Sequence, residues 1–403
     1  MNYIIYLTFL LLPSFLFGQR TITGKVVDRV SGQPVPGTSV FISNTSNGTV
    51  SGKEGDFILN NVPAGKYELI ISSVGYETMV HPFTEKDLPL RLRVELEVKM
   101  RELQNVTVEP FLEEGWDKWG KTFTDAFIGQ TPNAARCRIR NYKQIRFRYF
   151  RKSNRVIAYC DEPLLIENKA LGYLVRYQLE SFEINYKAGS TTYAGYPFFE
   201  ELDKNRKEIR PRYRKSREQA YSGSMMHFMR SLYTDSLLQQ GFETRRMMRI
   251  PNAEKERVKK IYRPGLTVRG NGGITISSRP DSLTKDSSAY YSRIMQQKDV
   301  NEVFGSAALT LDSLLVGQEG NYKVIHFDHY LYVTYKKEYE AKEYLQHHME
   351  SRPVYFQRSY LLLPAAQPFG IERNGNYFPP QEVLSAGYWG WDEKISSLLP
   401  LDY

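Results

Sequence analysis

The chain has 403 residues, and at about 100–200 residues per domain this length predicts two or three domains. Hydrophobic residues make up 41% and charged residues 25%, which argues against a disordered chain, and two cysteines are too few for a disulfide framework or a four-cysteine zinc site. The formal net charge of +9 is compatible with anionic partners but selects none of them.

An apolar run over residues 3–17 opens the chain and is followed by Gly18 and a polar segment. A membrane helix needs about 20 apolar residues, so this run is too short to span comfortably. We predict a secretory signal peptide over residues 1–18, with an uncleaved anchor or a buried strand as the alternatives. No later stretch has membrane-spanning length, so we expect the mature chain to be exported to the periplasm or the outer-membrane surface. Export argues against nucleic acid as a partner.

From Thr21 the sequence changes to short alternating runs separated by Gly and Pro. Strands are predicted at residues 21–28, 39–42, 55–59, 67–72 and 90–99. The pair Asn47-Gly48 predicts a hairpin, because both residues tolerate positive φ. Short strands at a spacing of about 8–12 residues indicate an antiparallel β-sandwich.

Six motifs in this segment carry a family resemblance. They are GKVVD at 24–28, PGTSV at 36–40, GTVS at 48–51, GDF at 55–57, VPAGKY at 62–67 and SVGYE at 73–77. Together they identify residues 20–108 as similar to the carboxypeptidase regulatory-like domain. The resemblance implies a seven-stranded transthyretin-like sandwich that is regulatory and has no peptidase activity or catalytic residues. Such modules occur in Gram-negative envelope proteins, including outer-membrane transporters.

We predict that residues 109–403 form a larger α+β region that is rich in strands and has a few helices. A helical lead-in is predicted over 109–135, where apolar residues recur at helical spacing: Leu112, Trp116, Trp119, Phe123 and Phe127. Residues 136–155 then alternate arginines with apolar side chains, as strands with one cationic face do. This stripe and the basic run at 204–217 suit peripheral contact with an anionic envelope surface. The alternative, which we favour, is a solvated face offset by acidic residues elsewhere.

The later elements are predicted from periodicity and capping residues. Strands are predicted at 156–159, 164–167, 173–186, 308–315 and 322–335. A helix is predicted to start near Ser222 or Ser224 and to end at Gly241, and another covers 338–349. Residues 252–300 form a predicted polar excursion. The sequence at 164–173 and 221–228 resembles the long region often joined to this module, which has no assigned activity.

Residues 115–122, GWDKWGKT, fit the phosphate-loop pattern G-x-x-x-x-G-K-[ST]. We reject this interpretation, because Trp116 and Trp119 belong to the apolar stripe of a helix that runs through the motif. Backbone amides that are committed to a helix cannot surround a phosphate. Export also argues against ATP as a ligand.

Three histidine patterns suggest metal or catalytic chemistry only weakly. His347 and Glu350 have the H-x-x-E spacing of metallocarboxypeptidase ligands, but no third histidine follows them. On a strand, His326 and Asp328 would share a face while His329 points to the other, so only two ligands would converge. His227 has no companion in the sequence.

The remaining candidates are also open to ordinary structural explanations. Cys137 and Cys160 could form a disulfide, although they are not directly opposed if residues 151–154 form a hairpin turn; two buried free thiols are the alternative. Ser236, Ser282 and Ser313 lie in short Asp-Ser-Leu motifs that resemble O-glycosylation acceptors of bacterial envelope proteins. The 29 tyrosines and 4 tryptophans could stack on sugars, but most of them suit packing.

These observations favour an exported, non-catalytic cell-envelope protein that binds an envelope protein or a glycan. We expect no catalytic residues, no metal site and no cofactor. One alternative is an exported hydrolase with a scattered site, which would require His227, His326 or Asp328 to meet a serine or glutamate in a pocket. Another is an accessory to an outer-membrane transporter.

Overall fold

The computed structural model describes residues 20–99, 109–206, 208–261, 265–269, 273–277 and 285–403. The predicted signal peptide at 1–18 and the predicted boundary at residue 108 lie outside this part of the chain. The protein is mainly β, with several sheets and a few helices, as the sequence predicted.

Seven strands between residues 22 and 96 form the N-terminal sandwich. They are β1 (Ile22–Asp28), β2 (Ser39–Ile42), β3 (Gly48–Val50), β4 (Asp56–Leu59), β5 (Lys66–Ser72), β6 (Met79–Thr84) and β7 (Leu90–Leu96). One sheet has the order β4–β1–β7 and the other β3–β2–β5–β6, with β1 and β7 parallel. Apolar side chains such as Val26, Val40 and Leu69 alternate inward and are buried between the sheets. The predicted seven-stranded sandwich is confirmed.

The predicted hairpin joins β2 and β3, but its turn lies at residues 43–47, with Asn44 at φ 60°. Gly48 is instead the first residue of β3 and pairs with Phe41. A Cβ on Gly48 would lie 2.5 Å from the ring of Phe198. The glycine is therefore needed for close approach between the sandwich and the rest of the chain rather than for the turn.

The next part of the chain forms a seven-stranded sheet with one helix against it. Its elements are β8 (Leu112–Glu114), α1 (Trp116–Phe127), β9 (Cys137–Ile139), β10 (Arg146–Phe150), β11 (Arg155–Tyr159), β12 (Leu164–Asn168), β13 (Tyr173–Asn185) and β14 (Ser190–Glu201). The order is β8–β10–β11–β13–β12–β9, and β14 also pairs with β13. The predicted lead-in helix is shorter than expected, because residues 112–114 bond to the edge of β10 and the helix begins only after Gly115.

Helices and a long insertion follow. The elements are α2 (Pro211–Tyr221), α3 (Met225–Tyr233), α4 (Leu237–Gln240), β15 (Phe242–Pro251), α5 (Ala253–Ile261), β16 (Gly265–Arg269), β17 (Gly273–Ser277), α6 (Lys285–Met295) and β18 (Val300–Ala308). Ser224 caps α3 by accepting the His227 N–H, and Gly241 ends α4 at φ 93°, so both predicted ends are confirmed. The single helix predicted between them is wrong, because Asp235 adopts a φ of 52° and separates α3 from α4. The chain leaves the sheet at Pro251 and returns opposite it at Val300, since β15 and β18 are antiparallel.

Two further sheets surround α3. The last elements are α7 (Leu311–Leu314), β19 (Leu315–Glu319), β20 (Tyr322–Ile325), β21 (Tyr330–Tyr339), α8 (Lys342–His347), β22 (Phe356–Leu362), β23 (Phe369–Glu372), β24 (Tyr377–Phe378), β25 (Leu384–Gly387) and α9 (Tyr388–Asp392). The sheets have the orders β18–β15–β21–β22–β25 and β19–β20–β23–β24, and α3 contributes Phe228 and Leu232 to the core they share. The strand predicted at 308–315 is wrong, because Thr310 and Ser313 cap helix α7 there. The helix predicted at 338–349 shortens to Lys342–His347, since β21 continues to Tyr339.

The turn at residues 43–47 fastens the sandwich to the rest of the protein. Asn44 N–H donates to the Pro197 carbonyl over 2.8 Å, and the Thr45 carbonyl accepts the Phe199 N–H over 3.1 Å. A third backbone bond of 2.7 Å joins the Leu401 N–H to the Asn44 carbonyl. The two bodies are therefore joined by three backbone hydrogen bonds as well as by side chains such as Ser46 and Asp402.

Candidate functional site

The phosphate-loop pattern at 115–122 lies on α1, which begins at Trp116. Lys121, the lysine that would reach a phosphate, is paired instead with Asp125 at 2.5 Å. Trp119 donates its indole N–H to Glu114 over 2.5 Å. The predicted helix through the motif is confirmed, and its amides belong to the helix.

The histidine patterns do not build a metal centre. Residues 326–329 lie in the turn between β20 and β21, so their predicted placement on a strand is wrong. His326 Nε2 lies 3.6 Å from Asp328, and His329 has a φ of 64° that turns the chain. Glu350 pairs with Arg352 at 2.5 Å. Among the described residues, no three His, Cys, Asp or Glu side chains are grouped to hold a metal ion.

His227 is buried and makes hydrogen bonds and ring contacts within the fold. Its Nδ1 accepts the Gly223 N–H over 3.2 Å, and its Nε2 lies 3.2 Å from the Gln240 side-chain oxygen. The ring packs against Tyr221 and Phe242. Both ring nitrogens thus face an amide rather than a nucleophilic oxygen, so His227 is not placed to act as the base of the scattered hydrolase site.

The two cysteines are free thiols. Cys137 lies on β9 opposite Asn168, whereas Cys160 follows β11. Residues 151–154 form the hairpin turn between β10 and β11, so the two cysteines are not directly opposed. Burial raises the pKa of Cys137 to about 12, so this thiol is unreactive at neutral pH.

Acidic side chains accompany the basic residues of 136–217. The ion pairs include Arg140–Glu167, Arg148–Glu113, Arg155–Glu183, Lys204–Glu200 and Arg217–Glu201. This arrangement supports the interpretation of a face whose charge is offset within the fold.

The structure describes two of the three serines in the Asp-Ser-Leu motifs. The Ser236 hydroxyl lies 2.8 Å from that of Thr234, and Ser313 belongs to the capping box of α7. Ser282, the serine best suited to an exposed loop, lies outside the described residues.

A cavity of about 380 Å³ lies between α1, the ends of β13 and β14, the end of α8, and α9. We refer to it as the α9 cavity. Its lining includes Thr122, Asp125, Gly129, Gln130, Ile184, Thr191, His347, Trp391 and Lys394. Its volume is in the range of small-molecule sites, about 300–1,000 Å³.

The α9 cavity combines one apolar wall with hydrogen-bonding groups. Trp391 and Ile184 form the apolar part, and both are buried. Thr122, Thr191 and Gln130 contribute two hydroxyls and an amide. A ligand with an apolar face and a polar edge would match this division.

Two cationic or potentially cationic groups line the same space. Burial lowers the pKa of His347, which keeps its imidazole neutral at pH 7. Burial also lowers the pKa of Lys394, whose ammonium lies 5.6 Å from the centre of the Tyr193 ring. In the described chain no hydrogen bond joins His347 to a serine, threonine or cysteine side chain.

Two carboxyl groups follow Trp391 in the chain. Burial, reinforced for Glu393 by the charge of Asp392, raises the pKa of Asp392 to about 6 and that of Glu393 to about 8. Glu393 accepts the Met225 N–H over 2.8 Å and so ties the end of α9 to the start of α3. These carboxyls hold the cavity wall in place.

Sequence reasoning did not find the α9 cavity. Its walls come from four separate stretches of the chain, between Thr122 and Lys394, and no short spacing connects them. The aromatic residues near Trp391 were a sequence signal for this cavity, but they predict only a general capacity to stack on sugars and not a location.

Comparisons with known proteins bear on the N-terminal sandwich. The family model of the CarboxypepD_reg-like domain matches residues 22–108. The sandwich is a CarboxypepD_reg-like domain. The resemblance predicted from the sequence motifs is thereby confirmed.

A TonB-dependent receptor, P39 of Formosa agariphila, is 35% identical to this protein over 97 residues. The match covers 23% of this chain but only 9% of the receptor, so the shared part is close in length to the CarboxypepD_reg-like domain. No helix in the described part of the chain has the length and apolar character needed to cross a membrane.

Solved structures give weaker matches. A chain of the type II cohesin–X-dockerin complex of Acetivibrio cellulolyticus is 20% identical, with 19% of this chain and 51% of that chain covered and a TM-score of 0.15. A protein of unknown function from Bacteroides fragilis is 8% identical, with 88% and 93% covered and a TM-score of 0.16. Both TM-scores are too low to indicate a shared fold.

Proposed function

We propose that the protein is an exported, non-catalytic cell-envelope protein that binds a glycan in the α9 cavity. The CarboxypepD_reg-like domain at residues 22–108 and the partial similarity to a TonB-dependent receptor support an envelope location. The periplasm and the outer-membrane surface both agree with this location.

The observation that carries the glycan proposal is the division of the α9 cavity into an aromatic wall and a polar rim. Sugar rings have C–H faces that pack on aromatic rings, and their hydroxyl edges need donors and acceptors. Trp391 lines the cavity with the small part of its ring that packing on Tyr344 and Tyr388 leaves exposed, and Thr191 and Gln130 are the polar side chains beside it. A non-catalytic role is supported because Asp125 is engaged by Lys121 and because, among the described residues, no serine, threonine or cysteine is hydrogen-bonded to His347.

The test is a binding assay on residues 20–403 with a panel of neutral and acidic oligosaccharides, measured by calorimetry. Thr191→Val removes a rim hydroxyl and should weaken binding about fivefold to tenfold, the value of roughly one hydrogen bond. Thr192→Val is the matched control, because Thr192 is the exposed neighbour that points to the other face of β14. Absence of binding to every glycan, or equal losses in both variants, would refute the proposal.

A second candidate function is that of an accessory to an outer-membrane transporter. The similarity to the TonB-dependent receptor over the CarboxypepD_reg-like domain favours it. Cross-linking of the tagged protein in intact host cells, followed by mass spectrometry, should then capture a transporter reproducibly. Loss of that capture on deleting residues 20–99 would assign the contact to the domain, and no capture from an abundant protein would count against this function.

A further inference from the structure

Lys394 is a half-buried cation without a counter-ion in the described structure. Among the described residues no carboxylate oxygen lies within 4 Å of its ammonium, and its contact is with the face of the Tyr193 ring. Removing an ammonium from water without pairing it is costly, which is the reason that its pKa is lowered.

The nearby carboxyl groups are all engaged elsewhere. Asp125, on the cavity wall, pairs with Lys121 at 2.5 Å. Glu393 accepts the Met225 N–H, and Asp392 lies 3.4 Å from the Ser397 hydroxyl. The Lys394 ammonium is therefore available to pair with an anionic group of a ligand in the cavity.

The backbone holds Lys394 at the cavity. Gly129 lies beside the aliphatic part of the Lys394 side chain and has a φ of 103°. A Cβ on this glycine would lie 3.0 Å from the Lys394 Cβ. A side chain at position 129 would displace the lysine. The close approach of Gly129 therefore fixes where the Lys394 side chain begins beside the cavity.

We propose that the α9 cavity binds an acidic sugar whose carboxylate pairs with the Lys394 ammonium; this inference rests on the glycan-binding function proposed above. A uronic acid has one negative charge, which matches one ammonium beside a neutral His347. A phosphate monoester carries about −1.5 to −2 charges at pH 7, more than one ammonium can pair. Trp391 and the Thr191 hydroxyl would contact the ring of the same sugar.

The test uses glucuronate and glucose, a pair that differs only in the carboxylate, with binding followed by NMR titration of the protein. The wild type should bind glucuronate at least tenfold more tightly than glucose, and 0.5 M NaCl should reduce that ratio. Lys394→Met should abolish the ratio, and Lys394→Arg should keep most of it. Lys342→Met, at an exposed lysine on α8, is the control and should leave the ratio unchanged.

Each outcome separates the two proposals. Equal binding of glucuronate and glucose, or an unchanged ratio in Lys394→Met, overturns the acidic-sugar inference and leaves glycan binding standing. Displacement of glucuronate by equimolar inorganic phosphate also overturns it, because the site would then recognise any anion. Absence of binding to both sugars and to the whole oligosaccharide panel overturns both proposals. Thermal unfolding of each variant confirms that its fold is intact.

Discussion

Replacing Glu393 with glutamine should change how the stability of this protein depends on pH. The carboxyl lies between α9 and α3, where it accepts the Met225 N–H over 2.8 Å. Burial and the neighbouring Asp392 raise its pKa from 4.5 to about 8. A glutamine has the shape of the protonated carboxyl and can accept the same hydrogen bond, but it cannot ionise.

The sign follows from proton linkage. The folded protein binds this proton more tightly than the unfolded chain, so the stabilisation is fully present below pH 4.5 and is lost as the pH rises through about 8. Each pKa unit corresponds to about 1.4 kcal/mol, so the shift corresponds to a loss of about 5 kcal/mol between pH 4 and pH 9. Asp392, whose pKa is raised to about 6, adds a loss in the same direction at lower pH.

Urea unfolding followed by tryptophan fluorescence at pH 5, 7 and 9 measures this effect. Glu393→Gln should match the wild type at pH 5 and exceed it by several kcal/mol at pH 9. Glu343→Gln, at an exposed carboxylate on α8, should follow the wild-type profile to within about 1 kcal/mol at every pH. Parallel wild-type and Glu393→Gln profiles would show that this carboxyl is not a buried acid in solution.

Two further substitutions test packing, both by urea unfolding. Gly48→Val should destabilise the protein by about 1–3 kcal/mol, because its side chain would overlap the Phe198 ring; an unchanged midpoint would contradict the close approach. Arg217→Met should cost about 2–4 kcal/mol, because the buried guanidinium donates to Leu171 over 2.8 Å and to both Glu201 oxygens over 2.7 and 2.9 Å. A loss below about 1 kcal/mol would show that water replaces these bonds.

The N-terminal sandwich could be predicted from the sequence, because its strands alternate apolar and polar residues and its turns contain Gly, Pro and Asn. Errors arose where distant residues decide the outcome. Tyr339 stays in β21 because its ring stacks on Phe356 of the neighbouring strand, at 4.9 Å between centroids. The run at 308–315 is apolar enough for a strand, but Thr310 and Ser313 cap a short helix within it.

The candidate site was out of reach for a different physical reason. A cavity forms where packed elements leave space between their surfaces. That space depends on how distant parts of the chain pack together, which local sequence patterns do not show. The missing counter-ion of Lys394 is likewise invisible, because Asp392 and Glu393 precede it in the chain yet are engaged with other groups. Only the three-dimensional positions of these side chains show that the lysine is unpaired.

The backbone pairing at Asn44 and Thr45 also imposes an order of assembly. A chain that is delivered from its N-terminus presents the whole sandwich first, whereas the strand that pairs with its turn comes about 100 residues later and Leu401 later still. Phe41 and Ile70, which pack with Phe198 in the finished protein, must therefore remain exposed on a folded sandwich while the rest of the chain emerges. This temporary apolar surface is where a chaperone would have its longest opportunity to bind.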